Sequence, residues 1–182
     1  MTTFIALLRG INVGGHNIIK MEDLRAICST LKFQQVQTYV QSGNVVFQAK
    51  DDAPEKLAAK LESAIEKSHG FRPSVICRTA SELEATAARN PYAGRTDIDP
   101  RKLGVGFLAT QLSAEARAKL LQLKPAQEEL HIGIQELFIY FPEGMGKSKL
   151  SMAAVERTAK TAITVRNWST VTNLIEMARE KD

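Results

Sequence analysis

The run Phe4-Ile5-Ala6-Leu7-Leu8 is apolar at every position. A strand with one wet face alternates apolar and polar residues, so a continuous apolar run ending at Arg9-Gly10 predicts a strand covered on both faces. The segments that follow have the periods needed to cover it. Met21, Leu24, Ile27, Cys28 and Leu31 recur at helical spacing. Val36–Gln41 and Val45–Gln48 flank Ser42-Gly43-Asn44, a tight hairpin signal. In the first of these strands Val36, Thr38 and Val40 alternate with Gln35, Gln37, Tyr39 and Gln41. A helix over Pro54–His69 carries Leu57, Leu61, Ala64 and Ile65 on one stripe, with Pro54 in its first turn and Gly70 as a stop. A strand over Ser74–Arg78 completes the order β-α-β-β-α-β, the ferredoxin-like arrangement.

Ser81 and Glu84 have capping-box spacing for a short helix ending near Arg89. The polar stretch from Asn90-Pro91 to Asp99-Pro100 reads as a linker. The second half then predicts a strand at Lys102–Ala109, a helix at Ser113–Leu121, a hairpin from Leu130–Ile134 and Leu137–Phe141, and helices at Lys149–Ala159 and Asn167–Arg179. The expected fold class is α+β. A ferredoxin-like subdomain (residues 1–89) and a linker (90–100) precede a related β-α-β-β-α subdomain with a C-terminal helix (101–182).

At 182 residues the chain falls within the range of one domain or two small ones. Its two cysteines, Cys28 and Cys77, give no disulfide framework and suit a reducing compartment. The apolar N-terminal run is too short for a secretory signal, and no stretch is long enough for a membrane span. The expectation is a cytoplasmic protein with no membrane partner. A formal charge of +4 permits an anionic partner without demanding one.

The motifs LLRGINVGG, TYVQSGNVVF, YFPEGMGKSKL and VRNWSTVTNL, in that order, resemble the family labelled domain of unknown function 1697. That resemblance spans nearly the whole chain. It implies a bacterial-type cytosolic α+β protein and supplies no catalytic residue.

Two glycine-rich loops invite a ligand. In the first, Gly10, Gly14 and Gly15 could turn backbone N–H groups toward an anion, with Asn12 beside them and Arg9 and His16 or Lys20 supplying charge. The same glycines could equally provide a tight exit from the strand, with Asn12 hydrogen-bonding locally. The second loop holds Gly144, Gly146, Lys147, Ser148 and Lys149 before a predicted helix. It is not a Walker A motif, because Phe141 stands where the first glycine belongs. Lysines at a helix start oppose its dipole, so an anionic ligand or a nearby carboxylate such as Glu143 should favour them. Arg166, just before the cap Asn167, could join a cationic site, and Trp168 is expected to anchor the last helix.

The three histidines lie in no metal-ligand spacing, and no motif requires a cofactor. Sheet-face RNA stacking is disfavoured, because the expected third strand lacks the signature SGNVVFQA would need to match. Three function classes follow. The leading one is a binding module for a phosphorylated small molecule, nucleotide or other anion. The others are an enzyme on such a substrate, with no catalytic residue assigned, and a homodimeric interaction protein with structural loops.

Overall fold

The computed structural model describes residues 1–50, 52–123, 125 and 127–181. By internal contact the chain divides into two units, Met1–Ala85 with the segment from Asn173 onward, and Thr86–Thr172.

The first unit runs β1 (Thr2–Arg9), α1 (Met21–Thr30), β2 (Gln34–Tyr39), β3 (Asn44–Ala49), α2 (Pro54–His69) and β4 (Ser74–Thr79), then enters α3 (Ala80–Ala88), which passes into the second unit at Thr86. Its sheet is antiparallel in the order β2-β3-β1-β4. As the apolar run requires, β1 is central and Phe4 to Leu8 are all buried. Phe4, Ala6 and Leu8 join Val45 and Phe47 of β3 in a core with Leu24 and Cys28 of α1 and Leu57, Leu61 and Ile65 of α2. Helical and strand periods therefore point at one another across this core. Thr79 and Glu82 form the capping box of α3: Glu82 N–H donates to Thr79 Oγ1 at 3.1 Å, and Thr79 N–H to Glu82 Oε2 at 2.8 Å. The box predicted at Ser81 and Glu84 lies one half-turn too late, and Glu84 instead accepts from Arg179 Nε at 2.6 Å.

The second unit runs β5 (Leu103–Leu108), α4 (Ala114–Leu121), β6 (Glu129–Ile132), β7 (Glu136–Tyr140), α5 (Met152–Ala159) and β8 (Ile163–Asn167), then enters α6 (Trp168–Arg179), which from Asn173 belongs to the first unit. Its sheet order, β6-β7-β5-β8, repeats that of the first. The repeat is more complete than periodicity predicts, because β8 supplies the fourth strand where only a helix was expected. The α+β class holds for both units. On β5, Gly104 and Gly106 occupy helix-side positions: a Cβ at Gly104 would lie 2.9 Å from the Phe141 ring. Two helix caps follow the sequence reading. Ser113 Oγ accepts from Ala116 N–H at 3.1 Å, and Asn167 Oδ1 from Thr170 N–H at 2.8 Å. Trp168 is only partly buried, so Val171, Leu174 and Ala178 carry the buried face of α6.

Candidate functional site

The first loop is built on Asn12. Its side-chain amide donates to Ile19 O and Gln41 O, each at 2.9 Å, and its Oδ1 accepts from Ile19 N–H at 2.9 Å. Asn17 Nδ2 returns a bond to Gly10 O at 3.0 Å. Between them the chain makes a small hairpin. Gly14 and Gly15 have φ of 59° and 77°, and His16 N–H donates to Val13 O at 3.0 Å. Two consecutive left-handed residues closed by that bond are a two-residue hairpin turn of the primed kind. The turn thus accounts for both glycines, the plainer of the two sequence readings. Arg9 ends β1, exposed and opposite Ser74, and Lys20 is the exposed N-cap residue of α1.

The neighbouring turn between β2 and β3 is pinned by close approach. Gly43 has φ of 86°, and a Cβ there would lie 2.6 Å from Ile11 Cδ1. Val13, Ile18 and Val40 remain exposed on these two loops.

The second loop, Phe141 to Ser151, leaves β7 with Phe141 buried over Gly104. Phe141 N–H donates to Lys102 O at 2.8 Å, and Lys102 Nζ reaches Pro142 O at 2.5 Å. Met145–Lys147 is a single 3-10 turn, and α5 begins at Met152, capped by Ser151 Oγ accepting from Ala154 N–H at 3.2 Å. Lys147 and Lys149 therefore precede the helix rather than start it, which corrects the expected helix over Lys149–Ala159. The reason is local. Ser148 Oγ is already occupied, accepting from Leu150 N–H at 3.1 Å and donating to Glu128 Oε1 at 2.5 Å.

Glu128 carries no motif signal, and the sequence pointed to Glu143 as the local carboxylate. The Ser148 hydroxyl, followed by backbone N–H groups that include Lys149, holds its carboxyl below the ordinary range. An internal carboxylate thus takes part of the place an outside anion was expected to fill. Around it lies a cavity of about 350 Å³, lined by Glu128, Phe141, Lys147, Ser148 and Lys149 and also by Glu143, the carboxylate expected from the sequence. Lys147 and Lys149 are exposed. Among the described residues, no ion pair or hydrogen bond is made by either ammonium group. Gly146 belongs to the same loop, and no Cβ clash forces a glycine there.

Arg166 lies on β8, paired in register with Val105 and only 9% exposed. Its guanidinium donates to Val165 O at 3.1 Å, and burial pulls its pKa down to about 10. It is a strand residue of the second unit, not a mobile surface cation. Among the described residues no group of His, Cys, Asp and Glu could hold a metal ion, and no helix is long and apolar enough to cross a membrane.

Two antiparallel split β-α-β sheets with helices packed on them define a duplicated α+β protein. The chain belongs to the family described as protein of unknown function (DUF1697), whose model matches residues 1–138. Its structure is similar to that of the conserved bacterial protein SP0830 from Streptococcus pneumoniae. The TM-score is 0.78 at 26% identity, over 97% of this chain and 98% of that one. No curated protein matches the chain.

Proposed function

We propose that the protein is a ferredoxin-like binding module for a small phosphorylated or otherwise anionic molecule, seated in the Phe141–Lys149 cleft. One observation carries this reading: a cavity of ligand size is bordered by two exposed lysines that make no ion pair among the described residues. Glu128 refines the ligand. A fixed carboxylate beside two ammonium groups suits a molecule with an anionic group for Lys147 and Lys149 and a hydroxyl or amine donor for Glu128, as in a sugar phosphate or nucleotide. Because Glu128 is held ionised, it serves near neutral pH as an acceptor rather than a proton donor, which favours binding over acid catalysis. This reading takes its ligand groups from the second loop and none from the first, whose Gly14 and Gly15 form a turn. Two buried free thiols, Cys28 and Cys77, suit a cytoplasmic location.

The test is thermal unfolding against nucleotides, sugar phosphates, coenzyme A, polyphosphate and short single-stranded RNA. A ligand at about 100 times its Kd stabilises by about 2.7 kcal/mol, a shift of roughly 5–10 °C for a chain of this size. Lys147→Ala and Lys149→Ala should each abolish the shift. A flat panel, or a shift that survives both substitutions, removes the proposal.

One observation favours the homodimer alternative. Val13, Ile18 and Val40 are 66%, 56% and 50% exposed on two loops joined by the Asn12–Gln41 bond, a rigid apolar tip of the kind that meets partners. Molar mass by light scattering should then rise with concentration, and Ile18→Ser should return it to the monomer value.

A further inference from the structure

A second cavity, of about 450 Å³, opens in the first unit where α1 ends beside β2, β3 and α2. Leu31, Phe33 and Leu57 form its apolar side, and Lys32, Lys50 and Lys60 stand around it. Its lining also includes Asp52, which is already engaged: Lys60 Nζ lies 2.9 Å from Oδ2 and Lys56 Nζ 3.7 Å from Oδ1. Among the described residues Lys32 and Lys50 make no ion pair, so the lining keeps a cationic excess.

Local backbone rules are broken on the same side. Phe33 N–H donates to Cys28 O at 3.1 Å and Lys32 N–H to Ser29 O at 2.9 Å, the paired bonds of a helix C-terminus whose left-handed residue is normally glycine. Here that residue is Lys32, with φ of 62°. Glycine closes α2, where Gly70 has φ of 75°, whereas α5 also ends on a left-handed lysine, Lys160, with φ of 55°. A lysine in the last turn would complement the helix dipole without this strain, so dipole complementarity does not explain its placement. Two residues on, the β2–β3 register slips between Gln34 and Gln37, and Gln35 has φ of 48°. Gln34 lines the cavity. Bulges and left-handed non-glycine residues concentrate where a side chain must be aimed.

We propose that this cavity binds a small amphipathic anion, its apolar body against Leu31, Phe33 and Leu57 and its anionic group between Lys32 and Lys50. The site is separate from the Phe141–Lys149 cleft and does not depend on it.

Calorimetric titration with 1-naphthyl phosphate, 8-anilinonaphthalene-1-sulfonate and dodecanoate tests it, with 1-naphthol and inorganic phosphate as half-ligands. At least one amphipathic anion should bind at least tenfold more tightly than either half-ligand. Lys50→Ala should weaken it at least fivefold. Lys32→Gly should do the same while raising the unliganded Tm by roughly 2–4 °C, because glycine relieves the left-handed strain. Gain in stability with loss of affinity is a signature that misfolding cannot produce. The proposal is overturned if none of the three anions binds, if the half-ligands bind as well, or if Lys32→Gly and Lys50→Ala leave affinity intact. Binding lost only in Lys147→Ala overturns it too, and assigns the anion to the other cleft.

Discussion

Asn12 decides whether the loop after β1 is a self-contained structural unit. Asn12→Ala removes three side-chain hydrogen bonds, two of them partly buried. It leaves Ile19 N–H, Ile19 O and Gln41 O without those partners. At about 1 kcal/mol for each partly buried bond and less for the exposed one, the loss is about 2 kcal/mol. Asn12 also has φ of 55°, where alanine is disfavoured by about 1 kcal/mol. The expected destabilisation is about 3 kcal/mol, or roughly 6–12 °C in Tm. Asn12→Gly loses the same bonds but tolerates the backbone angle, so it should be the milder variant by about 1 kcal/mol. Urea unfolding of the three proteins, with m-values compared, measures both differences. A loss below about 1 kcal/mol for Asn12→Ala, or a glycine variant no better than alanine, refutes the account of this loop as a hydrogen-bonded hairpin centred on Asn12.

Thr164, 1% exposed, has a hydroxyl with no hydrogen-bond partner among the described residues, so Thr164→Val should stabilise by about 1 kcal/mol in denaturant melts. A loss instead would reveal a partner for that hydroxyl. Glu136, 1% exposed, accepts from Arg89 Nε at 2.9 Å and from Gln135 N–H at 3.1 Å. Glu136→Ala should cost about 3 kcal/mol, and a double-mutant cycle with Arg89→Ala should show coupling of about 1–2 kcal/mol; additive losses would dissolve the pair. Burial raises the Cys28 thiol from its ordinary value near 9.0 to about 12 and pushes Cys77 up as well. Above pH 9 the unfolded chain releases those protons while the folded chain keeps them. Stability contributed by the thiols is therefore full below about pH 9 and falls as pH rises toward 12, by at most about 1.4 kcal/mol per thiol per pH unit. A Cys28→Ala/Cys77→Ala variant should lose stability less steeply in that window, measured by urea melts from pH 8 to pH 11; equal slopes would contradict the assignment.

Much of this architecture is legible because periodicity reports what each element faces. The uninterrupted apolar run from Phe4 to Leu8 specifies a central strand, and the stripe Leu57, Leu61 and Ile65 specifies the helix that covers it. Helix starts are less legible, because a cap is a competition among nearby residues of the same chemistry. Ser148 and Ser151 both suit the start of α5, and only geometry shows that Ser148 is occupied by Glu128 and Leu150. Thr79–Glu82 and Ser81–Glu84 compete in the same way, and the first pair wins. Strand β8 is hidden by its brevity and by Arg166, a charged residue that reads as exposed yet is buried. Glu128 escapes detection altogether, since nothing in Gln127-Glu128-Glu129 marks which carboxylate will meet a serine on another loop.

The duplication explains why the two glycine-rich loops stand out. Strands β4 and β8 end alike: Arg78 donates to Cys77 O at 2.9 Å and Arg166 to Val165 O at 3.1 Å. Each is followed by a residue whose side chain caps the next helix, Thr79 in one unit and Asn167 in the other. The equivalence lies in backbone roles, so it leaves no repeat in the letters. Against that common frame the units differ most at two connections. Between the first strand and first helix, the first unit runs through Gly10–Lys20 where the second needs only Ala109–Ser113. Between the third strand and second helix, the second unit runs through Phe141–Ser151 where the first needs only Lys50–Ala53. Each unit therefore demonstrates that the fold closes without the other's long connection. Extra backbone must still be ordered, at roughly 1–2 kcal/mol per residue, and each long loop is ordered by its own device, Asn12 in one and Phe141 with the Ser148–Glu128 bond in the other. Ordering that the fold itself does not require is the physical ground for seeking function in these two connections before any other part of the chain.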